Sequence, residues 1–69
     1  MKFKYYSDTD SLYIDLSEKK SVDSKEVSPD VVLDFDKNGK LVGIDIDRAS
    51  KHVNLSSLKT EGMPIPAAI

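Results

Sequence analysis

The segment from Asp34 to Asp45, DFDKNGKLVGID, decides the fold because it meets the sequence requirements of two different structures. As a calcium-binding loop, it has carboxylates at loop positions 1, 3 and 12, an amide at position 5 and a glycine at position 6. As a β-hairpin, it contains Asn38-Gly39, a pair that favours a tight turn because both residues accept positive φ. In the calcium loop the metal ligands would be the Lys40 carbonyl and the side chains of Asp34, Asp36, Asn38 and Asp45.

Three features favour the hairpin. A calcium loop of this kind needs a helix on each side, whereas residues 30–35 are rich in β-branched residues and alternate in polarity. Asp45, at position 12, is one methylene shorter than the glutamate that normally binds calcium through both oxygens. Such loops also work in pairs, and this sequence has a single one. We therefore predict a strand–turn–strand structure with no bound metal or other cofactor.

The same alternation extends in both directions from the hairpin and predicts further strands. Apolar residues recur at every second position in residues 2–6, 12–16, 31–35 and 41–47, while the polar stretch 21–27 is typical of an exposed edge strand. After Arg48 the period changes, which predicts a short helix near residues 48–53. The predicted fold is mainly β (a β-rich α+β fold), an antiparallel meander of four to five strands followed by one short C-terminal helix.

Size and composition predict one small domain that needs a partner for stability. We assign residues 1–58 to the domain and residues 59–69, which include Pro64 and Pro66, to a flexible or partner-contacting tail. A chain of 69 residues without cysteine has a small core and no disulfides. We therefore expect a homodimer in which two sheets pack face to face at a separation of about 10 Å. The expected inward residues are Phe3, Tyr5, Leu12, Ile14, Leu16, Leu33, Phe35, Val42, Ile44 and Ile46.

Charge and hydropathy argue against two classes of partner. The net charge is −2 and no basic cluster is present, so nucleic-acid binding is not expected. No apolar run approaches the roughly 20 residues that a membrane span needs, and the N-terminus lacks the apolar core of a signal peptide. The expected location is the cytoplasm, of a bacterium.

The hairpin would place four carboxylates on the solvent side of two neighbouring strands. Their mutual repulsion is unfavourable, so the arrangement calls for an explanation. Two explanations remain open: a solvated face that keeps the protein soluble, or an acidic patch that binds a basic partner or a divalent ion. The candidate partner-binding residues are Asp34, Asp36, Asp45 and Asp47.

No group of residues in the sequence indicates catalysis. Asp8 and Asp10 share a turn, where carboxylates usually accept hydrogen bonds from backbone N–H groups. His52 is the only histidine and fits a partly buried helix residue better than a catalytic base. We therefore expect a non-catalytic protein-interaction module. The alternative is a protein that binds a divalent metal or small ligand through the Asp34–Asp45 hairpin.

The order and spacing of several motifs resemble a known family. The motifs are Tyr5-x4-Asp10-x-Leu12-Tyr13-Ile14, then Glu26-Val27-x2-Asp30-Val31-Val32-Leu33-Asp34-Phe35-Asp36, then Gly39-x-Leu41-Val42-Gly43-Ile44-Asp45-Ile46, then Ala49-Ser50. Residues 2–53 resemble small prokaryotic proteins of the domain-of-unknown-function family 2283. Tyr6, where a polar or acidic residue is expected, and the tail after Leu58 depart from the family pattern.

The resemblance implies a small β-rich domain with the acidic turn in a strand–turn–strand context. It implies no catalytic residues. Some members of the family resemble partners of small ribonuclease-type toxins in two-gene modules, so the resemblance implies an antitoxin or other protein-binding role.

Overall fold

Period-two alternation produces five strands in the computed structural model, which describes residues 1–64. The strands are β1 (Lys2–Tyr6), β2 (Ser11–Asp15), β3 (Asp23–Ser28), β4 (Val31–Phe35) and β5 (Leu41–Ile46). They form one antiparallel sheet in the described part of the chain. The mainly-β prediction is confirmed. No helix within residues 1–64 is long and apolar enough to cross a membrane.

The strand order is β1-β2-β5-β4-β3, so the predicted meander is wrong. β5 lies between β2 and β4, and residues 16–22 carry the chain from β2 to the far edge of the sheet. Both ends of this connection are fixed to the sheet, since the Leu16 amide donates to the Val42 carbonyl (2.9 Å) and the Val22 amide to the Phe35 carbonyl (2.8 Å). In this central position β5 has a neighbouring strand on each side, and its Val42 and Gly43 are buried. Polar β3 lies at an edge, as predicted.

The predicted helix near residues 48–53 is replaced by a single 3-10 turn, Ala49–Lys51. Arg48 adopts a left-handed conformation (φ 49°), which sets the direction of the chain just before the turn. The Ala49 amide then donates to the Asp10 carbonyl (2.8 Å), so it is bonded to the β1–β2 turn. A chain fixed in this way at its first residues, with Asn54 following shortly, does not extend into an α-helix.

The β4–β5 hairpin is confirmed, but its turn differs from the predicted pair of positive-φ residues. Gly39 has φ 79°, whereas Asn38 has negative φ. The Gly39 amide donates to the Asp36 carbonyl (3.0 Å) and the Asp36 amide to the Lys40 carbonyl (2.8 Å). This is a three-residue hairpin loop, in which a type I turn is followed by a left-handed glycine.

The register puts apolar and polar side chains on opposite faces of the sheet. The apolar face carries Phe3, Tyr5, Leu12, Ile14, Leu33, Ile44 and Ile46. Among these residues only Leu12 is buried, at 9% exposure, and within residues 1–64 no large side chain falls below 2%. The register also shifts between Asp34 and Phe35, so Val42 has no partner in β4, and its side chain is buried at 3% exposure. The molecule is thus a single layer with little core of its own.

Candidate interaction surfaces

Tyr13 crosses the polar face of the sheet from β2 to β4. Its hydroxyl donates to Asp34 Oδ2 at 2.7 Å, passing over Gly43 of the intervening strand β5. A Cβ atom at Gly43 would lie 1.9 Å from the Tyr13 hydroxyl oxygen, so only glycine leaves the tyrosine room. The Asp34 carboxylate, which accepts this hydrogen bond, raises the pKa of Tyr13 to about 12, with burial adding to the effect. One side chain therefore links three strands.

Three of the four predicted face aspartates lie together on the face that carries Tyr13, and we define them as the acidic cluster: Asp34, Asp45 and Asp47. Asp34 also accepts a hydrogen bond from the Ser24 hydroxyl on β3 (2.7 Å). Asp47, just after β5, accepts one from Ser11 (3.3 Å). The pKa of Asp45 is raised, first by partial burial and then by the neighbouring charges of Asp47 and Asp34. The cluster thus concentrates negative charge, and a nearby positive group would reduce the repulsion among its carboxylates.

Asp36 does not belong to this cluster, which corrects its predicted place on the solvent face. Its side chain is buried, at 7% exposure, and its Oδ1 accepts hydrogen bonds from the amides of Asn38 (2.8 Å) and Lys40 (2.9 Å). An aspartate that begins a tight turn commonly folds back onto the amides ahead of it. Asp36 is a structural residue of the hairpin loop.

Two of the four candidate metal ligands, Asp34 and Asp36, have carboxylates that already accept hydrogen bonds in this structure. Asn38 contributes its backbone amide to the turn. Within residues 1–64 no three acidic or histidine side chains converge in an arrangement that would hold a metal ion.

The apolar face opens into a groove of about 660 Å³. One wall is the sheet, and the other is the segment of residues 53–59, which we call the C-terminal segment. Large apolar side chains along the groove remain exposed: Phe3 by 45%, Tyr5 by 47%, Leu55 by 40% and Leu58 by 70%. The predicted direction is confirmed for the seven sheet residues of the apolar face, which within the described chain are covered only in part, whereas the register does not place Leu16, Phe35 and Val42 on that face.

Two aspartates in turns anchor the chain just before the C-terminal segment. Asp10, itself at positive φ (53°), accepts hydrogen bonds from the hydroxyls of Tyr5 (2.8 Å) and Ser50 (2.7 Å) and from the Ser50 amide. These bonds, with that of the Ser50 hydroxyl the strongest, lower the pKa of Asp10. Asp10 therefore bonds a backbone amide, as expected for a turn carboxylate, but the amide lies 40 residues away in sequence.

Asp30, in the β3–β4 turn, is the second anchor. Its carboxylate accepts hydrogen bonds from His52 Nε2 (2.7 Å) and from the Arg48 guanidinium, and these lower its pKa in that order. His52 is exposed, so the prediction of a partly buried helical histidine is wrong. Sequence reasoning missed both anchors because Arg48 and His52 lie 18 and 22 residues from Asp30, and Ser50 lies 40 residues from Asp10.

The comparisons with known proteins identify a family and no individual relative. Neither the curated proteins nor the solved structures gave a match. A family model matches residues 2–50, which include all five strands, the acidic cluster and both anchor aspartates, but not His52 or the C-terminal segment. The chain therefore belongs to the family described as "Protein of unknown function (DUF2283)".

Proposed function

We propose that the protein is a non-catalytic protein-interaction module, and that its role is antitoxin-like. The observation that carries the proposal is the open apolar face of a single-layer sheet. A sheet that is apolar on one face needs a second layer to cover it, and here the C-terminal segment covers it in part. Exposed apolar side chains grouped in this way are typical of a protein interface.

A second copy of the chain is the partner that we propose for the apolar face. Five strands about 4.8 Å apart, with five residues of about 3.3 Å each, give a face of roughly 24 by 17 Å. Two such faces in contact cover roughly 800 Å² in projection. This is below the roughly 1,200 Å² at which stable interfaces begin, and the C-terminal segment, which lines the same groove, would add to the contact. The homodimer therefore supplies the missing layer by packing sheet on sheet.

The acidic cluster on the opposite face is the proposed site for a different protein with a basic surface. The pKa of Asp45 is raised by partial burial and by the neighbouring charges of Asp47 and Asp34, and the second effect supports the proposal because a nearby cation would relieve that repulsion. A small basic toxin of the ribonuclease type, in the cytoplasm, fits this chemistry. The two faces then have separate tasks, self-association on one and partner binding on the other.

Affinity capture from a lysate of the native host, with and without chelator, tests the proposal. We expect one stoichiometric protein partner, retained in the presence of chelator. The double variant Asp45→Lys/Asp47→Lys should lose that partner because opposing charges across an interface set both association rate and specificity. The matched control is Glu18→Lys/Glu61→Lys, which changes the net charge equally at two exposed positions away from the cluster.

The outcomes separate the alternatives. Retention of the partner by the Asp45→Lys/Asp47→Lys variant would exclude the acidic cluster as the binding site. A partner that is lost when chelator is added would instead favour the metal-binding alternative.

A further inference from the structure

The two edges of the sheet differ in how far they are protected against pairing with another strand. β3 has a register irregularity between Glu26 and Ser28, is followed directly by Pro29, and places Lys25 on the apolar face opposite Leu33. Bulges, prolines, inward-pointing charges and edge lysines are among the devices with which proteins block an edge. The β3 edge is therefore closed to strand addition.

The β1 edge has no bulge, proline or inward-pointing charge, and its protection consists of the edge lysines Lys2 and Lys4. Its five residues pair with β2 in an uninterrupted register from Lys2–Asp15 to Tyr6–Ser11, and all five are exposed. Phe3 and Tyr5 project on the apolar side, where they line the groove. An extended chain beside β1 would find free backbone groups and, at alternate positions, apolar contacts.

Lys2 and Lys4 determine what kind of strand can pair there. Both lie on the polar side of β1, and within residues 1–64 neither forms an ion pair with a carboxylate. In an antiparallel pair of two β1 strands with all five residues matched, Lys4 would lie directly opposite the Lys4 of a second copy. Like charges directly opposite each other destabilise a strand pair. The lysines therefore disfavour a second copy at this edge and favour a strand that carries acidic residues.

We propose that β1 binds an extended segment of another protein by antiparallel strand addition. The segment has acidic side chains opposite Lys2 and Lys4 and apolar side chains opposite Phe3 and Tyr5. This inference rests on the proposed function in that the partner is a protein, but it concerns a different surface. Strand addition occurs in the plane of the sheet, so it leaves both faces available.

Titration of the ¹⁵N-labelled full chain with two designed peptides tests the proposal. Each peptide is a cyclic β-hairpin, pre-organised to reduce the entropy cost of binding, with an exposed edge of sequence Glu-Val-Glu-Val-Glu or Lys-Val-Lys-Val-Lys. The acidic peptide should shift the β1 amide signals and slow their hydrogen exchange, and the basic peptide should bind at least roughly tenfold more weakly. The signals of β3 should stay unchanged with both.

The variant Lys2→Glu/Lys4→Glu should reverse the preference between the two peptides. The matched control Lys19→Glu/Lys25→Glu has the same change in net charge and should keep the wild-type preference. Absence of β1 shifts at millimolar acidic peptide, equal affinity of the two peptides as read at the β1 signals, or acidic-peptide shifts confined to β3 or the acidic cluster would each overturn the proposal. Because the probes are synthetic, these results do not depend on whether the acidic cluster binds a basic partner.

Discussion

At the scale of single residues, the contact between Tyr13 and Gly43 is the most demanding feature of the polar face. The glycine has an ordinary backbone conformation and is required for space alone, since the tyrosine hydroxyl oxygen would lie 1.9 Å from an added Cβ. Without the space that the missing side chain of Gly43 leaves, the Tyr13 hydroxyl does not reach Asp34. The polar face would then lose a hydrogen bond that joins the two halves of the sheet.

The substitution Gly43→Ala should lower the free energy of unfolding by about 1–3 kcal/mol, because the new methyl group displaces the Tyr13 ring and breaks its bond to Asp34. Urea denaturation followed by circular dichroism measures the change. In a Tyr13→Leu background the same substitution should lower the free energy of unfolding by clearly less, since no aromatic ring crosses the glycine. An equal cost in both backgrounds would show that the tyrosine is not the obstacle.

Tyr13 should also make stability depend on pH in the alkaline range. Its pKa in the folded protein, about 12, lies above the ordinary 10.0, so folding favours the protonated phenol. The resulting stabilisation is fully present below pH 10.0 and is lost as the pH rises through about 12. Unfolding curves of the wild type and Tyr13→Phe should therefore converge over this interval. A constant difference from neutral to strongly alkaline pH would contradict the assignment.

At the scale of structural elements, the two anchor aspartates connect the sheet to the chain that leads into the C-terminal segment. Asp10 and Asp30 lie in two different turns and bind Ser50 and the Arg48–His52 pair, respectively. Five polar side chains thereby orient one 3-10 turn and, through it, the wall of the apolar groove.

At low pH, the hydrogen bonds of Asp10 and Asp30 to the chain around the 3-10 turn should break before the sheet unfolds. The pKa values of Asp10 and Asp30 lie below the ordinary 3.8, so their stabilisation is complete above that value and is lost as the pH falls through the lowered pKa. We expect the Ser50 amide signal to titrate with a midpoint below 3.8 and to lose this transition in Asp10→Asn. A Ser50 transition that persists in the variant would assign the contact to another group.

Sequence patterns predicted the strands well because period-two alternation is a local property. The direction of most apolar residues follows from it, whereas the edge position of β3 follows from the polarity of residues 21–27 and the β4–β5 hairpin also from Asn38-Gly39. The insertion of β5 between β2 and β4 could not be predicted from alternation. Strand order depends on contacts between residues that are distant in sequence. The acidic cluster was predicted in part: Asp34, Asp45 and Asp47 lie together, whereas Asp36 turns inward to bind two amides of its own loop.

At the scale of the whole molecule, the central feature is a sheet with one layer. Its buried hydrophobic residues within the described chain are Leu12, Val42 and Ala49, which is little for a stable domain. Association through the apolar face would therefore remove more apolar surface from water than association through any other described part of the surface. A homodimer through this face would provide a core that one chain lacks, and would leave the acidic cluster and the β1 edge free for other proteins.

The substitution Ile44→Lys should weaken such a dimer selectively. Ile44 lies at the middle of the apolar face, between Ile14 and Leu33 on the neighbouring strands, where a charge would be costly to bury between two sheets. Glu26→Lys, on the polar side of β3, is a control that introduces the same residue away from that face. We expect the first variant to dissociate at concentrations at which the second stays associated.

The most direct test of the account is the mass of the protein in solution, measured by sedimentation equilibrium at micromolar concentration. The account predicts twice the chain mass of 7.7 kDa, with a shift toward the single-chain mass in Ile44→Lys. A wild-type protein that sediments as a folded monomer of 7.7 kDa would contradict the claim that a second copy covers the apolar face.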